Sequence, residues 1–318
     1  MGAGGDRGLV SPPASVVDPA ADGEDPVQPE EDEVFLWRAW AGPGRAAAPL
    51  VFLPGLGPHS TDRTRFQRLV QRLELLGLGL SGAVWVVGRR SRLRQGATIA
   101  DLAEDHARAI RSRFDTPIDV VGESTGGSIA LQLALDHPDV VQRLVLVSAA
   151  SRLHGTGRAA QREVVSSLRA GRPRRAAGAM LAATTRRPIR SRLLRAAGFA
   201  LGRFVIGRDD GDLIITIEAE NEFDLHRDLA LVSAPTLVIG GLHDGYYSPE
   251  LFAETADLIP DARYLEYPNK GHVTTMTDRA VSRAVRARLR PARATGRAAT
   301  GDDASRRSRA STCAGPSA

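Results

Sequence analysis

Ser124 stands in the run VVGESTGGSIA, with Gly122 and Gly126 two residues to either side, so the chain contains the pattern G-x-S-x-G. A serine hydroxyl is a poor nucleophile until a base takes its proton. That requires a histidine within hydrogen-bond reach and a carboxylate to fix the tautomer of the histidine. Downstream, PTLVIGGLHDGYYSPE carries Asp244 and LEYPNKGHVTTM carries His272. These are the residue types for acyl transfer through a covalent serine intermediate, with Ser124 as nucleophile, His272 as base and Asp244 as its partner. Asp224, at the end of a helical stretch, is a second candidate for the carboxylate.

The pattern alone is weak, because a chain with 32 glycines supplies G-x-S-x-G by chance, roughly 0.2 times on residue frequencies. Context carries the reading. PIDVVGE has strand character and TGGSIALQLALDHP helix character, which sets Ser124 at a sharp strand-to-helix corner where a nucleophile elbow belongs. Small neighbours at Gly122 and Gly126 let strand and helix approach there. The ordinary alternative is a serine that caps the helix, and such a cap needs no glycine on either side. A tetrahedral intermediate also needs donors for its oxyanion. The backbone N–H of Thr125 is one candidate. Gly55, in VFLPGLGPHS, lets the backbone turn so that the N–H of Leu56 is the other; the same residues would also make a plain turn.

These residues need a frame, and the chain supplies an alternating one. PLVFLPG, GAVWVVG, PIDVVGES, VQRLVLVSA, APTLVIGG and ARYLEYP are strand-length runs, several apolar throughout as parallel strands covered on both faces are. Between them DRTRFQRLVQRLELLG, TIADLAEDHARAIRSRF, GGSIALQLALDHP and SPELFAETADLI have helical spacing. Thr98 opens a T-x-x-D box and Ser248 precedes Pro249. The alternation implies an α/β fold with a mostly parallel, doubly wound sheet. Loops at the carboxyl ends of its strands gather along one edge, where Ser124, Asp244 and His272 can converge. Residues 151–230 break the rhythm with helical segments and form an insertion between two core parts, 33–150 and 231–290. An acidic Pro/Gly-rich stretch, 1–32, and a basic stretch, 291–318, read as disordered tails.

LPGLG, VVGESTGG, GGLHDGYYSPE and NKGHVTT, in this order, resemble the α/β-hydrolase superfamily from about Val34 to Leu289. The resemblance implies a serine esterase or lipase-like member with the insertion as its cap. Ser124, Asp244 and His272 would be its catalytic residues, and Leu56 and Thr125 its oxyanion donors. Pro54 stands where many members have histidine before the glycine. Serine at the elbow speaks against the dehalogenase and epoxide-hydrolase branches, whose nucleophile is aspartate.

Composition adds exclusions. The net charge of +5 comes almost wholly from arginine, Lys270 being the only lysine, in a chain rich in Ala, Gly and Pro. That skew follows GC-rich coding as much as binding, and no nucleic-acid partner is expected. GTGRAA, residues 155–160, matches a dinucleotide fingerprint but lacks the acidic residue about twenty positions on. No cofactor and no metal are expected. Cys313 is the only cysteine, no apolar run spans a bilayer, and a cytoplasmic location is the expectation. From Arg152 to Arg208 Glu163 is the only acid, and Asp209–Asp228 turns acidic. The plain reading is a solvated surface whose halves pair. The sharper one is that RAGRPRR and TTRRPIRSR draw in an anionic acyl substrate or, less favoured, an anionic membrane surface. The expected function is hydrolysis of a carboxylic ester or related small acyl compound. Acyl transfer on the same residues, or ligand binding by a retained hydrolase fold, are the alternatives.

Overall fold

The computed structural model describes residues 16–17, 34, 36–41, 49–56, 75, 83–206 and 211–289. Their strands are β1 (Val16–Val17), β2 (Leu36–Ala41), β3 (Leu50–Leu53), β4 (Ala83–Val87), β5 (Ile118–Glu123), β6 (Val141–Val147), β7 (Thr236–Gly241) and β8 (Ala262–Tyr267). They form one sheet of order β1-β2-β4-β3-β5-β6-β7-β8. β2 runs antiparallel to β4, and every other pairing is parallel. All six runs read as strands form strands. β2 was not among them, because LWRAWA lies on the outer side of the sheet and mixes Trp and Arg without a clean period. β1 lies in the stretch expected to be a disordered tail and pairs Val16 with Leu36.

The central strands β3, β4, β5 and β7 are buried almost throughout because both faces are covered. Val51, Val120, Leu144 and Leu146 point into one core cluster, together with Ile129 and Phe252. Phe52, Val121, Val145 and Val147 point into another, with Val281 and Val285. The first cluster is closed by helices α1 (Ile99–Arg111), α2 (Thr125–Asp136) and, further along the chain, α7 (Pro249–Leu258). The second is closed by α9 (Arg279–Leu289), which follows the short helix α8 (His272–Met276). Thr98 caps α1 as its box predicts, accepting from Asp101 N at 3.1 Å while the Asp101 carboxylate accepts from Thr98 N at 2.8 Å. The helix expected over DRTRFQRLVQRLELLG lies outside the described residues except for helical Leu75.

The insertion contains helices α3 (Gly155–Arg169), α4 (Pro173–Ala182), α5 (Pro188–Ile206) and α6 (Gly211–Glu222). It has a small core of its own around Val164, Leu168, Ala176, Ala177 and Ile217, against which Leu56 packs. Its acidic and basic halves do pair in places. Arg169 meets Glu218 at 2.6 Å, and Arg152 and Arg158 lie 3.8 and 3.9 Å from Asp224. No helix among the described residues is long and apolar enough to cross a membrane.

Strand order decides where a site can form. From β3 the chain moves outward to β4, then returns to the other side of β3 for β5 and proceeds to β8. The crevice between the carboxyl ends of β3 and β5 is therefore the topological switch point, the usual ligand position in an open α/β sheet. Register places Leu53 opposite Gly122, so the segment after β3 runs beside Ser124.

Candidate active site

β5 ends at Glu123 and α2 begins at Thr125, leaving Ser124 alone to make the corner. It has φ 51° and ψ −126°, a conformation that costs a non-glycine residue about 1–3 kcal/mol and persists only when its surroundings enforce it. Here they do. Ser124 N–H donates to Val147 O at 3.0 Å, and Ser124 O accepts from Gly127 N–H and Ser128 N–H at 2.7 and 3.1 Å. Helix and strands leave no room for a side chain at either glycine: a Cβ on Gly126 would lie 2.1 Å from Leu53 O, and one on Gly122 2.7 Å from the Ala130 Cβ. The Ser124 side chain makes no capping bond to α2. Its Oγ lies 2.9 Å from His272 Nε2.

His272 reaches this point as the first residue of α8, after the loop that follows β8. Its backbone N–H donates to Thr184 O in the insertion at 2.9 Å, and its carbonyl accepts from Ser148 Oγ at 3.0 Å. Its Nδ1 is 2.7 Å from Asp244 Oδ2. With the proton on Nδ1 facing the carboxylate, Nε2 presents its lone pair to Ser124. Asp244, in the loop after β7, has no solvent exposure. Its Oδ1 accepts from Tyr246 N–H and Tyr247 N–H at 2.9 and 3.1 Å, so both oxygens are engaged. The structure thus brings Ser124, His272 and Asp244 together. Asp224 is elsewhere, its carboxylate near Arg152 and Arg158 and accepting from His226 N–H.

The residues expected to hold an oxyanion flank Ser124. Thr125 opens α2, so its N–H has no acceptor within the helix. On the other side a Cβ on Gly55 would lie 3.1 Å from Ser124 Cβ, which puts the Gly55–Leu56 peptide against Ser124. Arg89, buried after β4, donates to Pro54 O and Gly55 O, each at 3.4 Å. In a planar trans peptide the carbonyl and the following N–H point opposite ways. A Gly55 carbonyl turned to Arg89 therefore turns the Leu56 N–H away from it.

Sequence reasoning missed Arg89, Tyr246, Tyr247 and Glu220. The Tyr246 ring lies 4.9 Å from that of His272, and the Tyr247 ring stacks on it at 6.0 Å and 17°. Burial, with the Glu220 and Asp244 carboxylates nearby, pushes both phenols well above their ordinary range and keeps them neutral. Glu220, on α6, accepts hydrogen bonds from Thr125, Ser128, Gln161 and Tyr247. One signal for it was legible: Leu213, Ile217 and Glu220 recur at the spacing of a single buried helix face. Glu220 puts a carboxylate where that face calls for an apolar residue.

The known proteins this chain is similar to agree with the fold. It is 28% identical over 193 residues to a protein of Variovorax paradoxus named as a carbamate hydrolase, RutD, covering 59% of this chain and 71% of that one. It is 31% identical over 106 residues to the 2-hydroxymuconate semialdehyde hydrolase of a Pseudomonas species, covering 33% of this chain but only 38% of that enzyme. Among solved structures, the enol-lactonase of Burkholderia xenovorans superposes with a TM-score of 0.64 at 21% identity, over 82% of this chain and 97% of that one. A family model described as "Alpha/beta hydrolase family" matches residues 50–286, so the chain belongs to the α/β-hydrolase family and is an enzyme of that family.

Proposed function

We propose that this hydrolase cleaves a carboxylic ester or related acyl compound through an acyl-enzyme on Ser124. The observation that carries the reading is the continuous path from Ser124 Oγ through the His272 ring to Asp244, at 2.9 and 2.7 Å, with the serine held at a positive φ. Ser124 Oγ attacks the acyl carbonyl while Nε2 of His272 takes its proton. Asp244 keeps the ring oriented and balances the cation that forms. The oxyanion lies between the N–H groups of Leu56 and Thr125. Collapse expels the alcohol, which receives the proton from His272. Water then attacks the acyl-enzyme, giving its proton to His272, and the acid departs as Ser124 recovers its hydrogen.

An acyl substrate agrees with the names of two similar proteins, since a carbamate and a lactone are both acyl compounds. The helical insertion serves as a cap over the site, because Thr184 holds the backbone of His272 and Leu56 packs on the insertion core. Labelling with a fluorophosphonate tests the reading. The protein should be labelled once, at Ser124, and Ser124→Ala should abolish both labelling and ester turnover. Labelling at another residue in that variant would overturn it.

A further inference from the structure

We propose that Glu220 is a positioning residue for the acyl-transfer reaction, a carboxylate supplied by the insertion that locks the oxyanion side and the imidazole side of the site into one arrangement. The inference rests on the serine-hydrolase reading above and adds a residue to it.

Glu220 is 1% exposed. A buried carboxylate is costly unless hydrogen-bond donors replace the water it has lost. Four do. Oε2 accepts from Thr125 Oγ1 and Gln161 Nε2, both at 2.7 Å, and Oε1 accepts from Ser128 Oγ and Tyr247 OH, both at 3.2 Å. Two donors per oxygen use the carboxylate fully. Thr125 and Ser128 belong to the first turn of α2, where the helix macrodipole also favours an anion.

The identity of the donors separates positioning from simple anchorage. Thr125 follows the nucleophile and carries the N–H that faces the oxyanion, so tethering its hydroxyl fixes the turn from which that N–H projects. Tyr247 stacks on His272, and its backbone N–H donates to Asp244 at 3.1 Å. Gln161 comes from α3 of the insertion. One carboxylate therefore joins the insertion to the oxyanion side through Thr125 and to the base side through Tyr247. An anchor alone would need none of these contacts at the reacting residues.

Glu220→Gln, Thr125→Val and the double variant should be assayed on p-nitrophenyl acetate, with active sites counted by fluorophosphonate titration. Each single variant should lose about tenfold or more in kcat with KM within about twofold, as loss of transition-state alignment predicts. The double variant should be little worse than the poorer single one, because both remove the same link. Glu163→Gln, on the insertion surface and paired with Arg195 at 2.7 Å, should keep kcat within about twofold. Thr125→Ser, which retains a hydroxyl, should recover most of the rate lost in Thr125→Val, and this comparison stands even if Glu220→Gln does not fold. Wild-type kcat in Thr125→Val, a loss confined to KM, or fully multiplicative losses would each overturn the inference. Ser124→Ala separates the two readings. If that variant is inactive and Thr125→Val is normal, only the role of Glu220 falls; if it still turns over ester, both readings fall.

Discussion

Asp244 grips His272 with one carboxylate oxygen, Oδ2 at 2.7 Å from Nδ1, and fixes its own loop with the other, which accepts from the N–H groups of Tyr246 and Tyr247. The loop after β7 is thereby built around the orientation of one imidazole. Asp244→Asn preserves the shape but can present an N–H where Nδ1–H needs an acceptor, which favours the wrong tautomer. Turnover should fall by about 10³- to 10⁴-fold while the thermal midpoint moves little. A loss below tenfold would show that Asp244 is not the partner His272 needs.

The strained corner at Ser124 rests on the missing side chain of Gly126. Gly126→Ala would push a Cβ to 2.1 Å from Leu53 O, a backbone atom that cannot rotate aside. β3 and α2 must separate, at a cost on the order of 3 kcal/mol. Because β3 also leads to Gly55 and Leu56, the separation pulls the proposed oxyanion loop from Ser124. Both the unfolding midpoint in urea and the fluorophosphonate labelling rate should drop. An alanine variant with unchanged labelling would remove the claim that close approach at Gly126 sets the geometry.

Much of this site was legible because its signals are local. Ser124 lies between a run that forms a buried strand and a run that forms a helix, Asp244 follows a buried strand, and His272 follows the more exposed end strand β8. Covered on both faces, β3 and β4 announce themselves as continuous apolar runs. β2 gave no such signal, since an antiparallel strand toward the edge of the sheet mixes faces. Choosing Asp244 over Asp224 required tertiary distance, because both follow recognisable elements. What Arg89 and Glu220 bind was illegible for the same reason. Their partners lie 34 and 95 residues away, and nothing local marks an arginine as clamping a loop. Even the misplaced carboxylate on the apolar face of α6 says only that some donor must meet it.

His106 gives the fold a dependence on pH that is separate from the site. Burial, assisted by the charge of Arg89, holds its pKa down to about 4 from an ordinary value of 6.5, although its Nδ1 lies 2.6 Å from Leu102 O. The folded state therefore favours the neutral ring. The associated stability is fully present above pH 6.5 and is lost as pH falls toward 4, because the unfolded chain binds the proton first. The full effect is about 3 kcal/mol. His106→Gln should be less stable at neutral pH, yet its thermal midpoint should fall less steeply than the wild type between these limits. Parallel curves for the two proteins would show that His106 does not titrate with unfolding.

Arg89 acts on the opposite wall from Glu220. Its guanidinium faces the carbonyls of Pro54 and Gly55, each at 3.4 Å, and a peptide held by its carbonyl has its N–H direction fixed as well. Arg89→Met keeps the aliphatic stem but releases that hold, so the Leu56 N–H samples directions away from the oxyanion. Removing an oxyanion donor outright costs about 10²- to 10³-fold, and loosening one should cost about tenfold in kcat with KM nearly constant. Fluorophosphonate labelling should slow in parallel, because in the proposed mechanism the phosphonyl oxygen accepts from the same two N–H groups as the acyl oxyanion. A variant that labels at the wild-type rate but binds ester more weakly would mean that Arg89 shapes the entrance to the site and not the oxyanion loop.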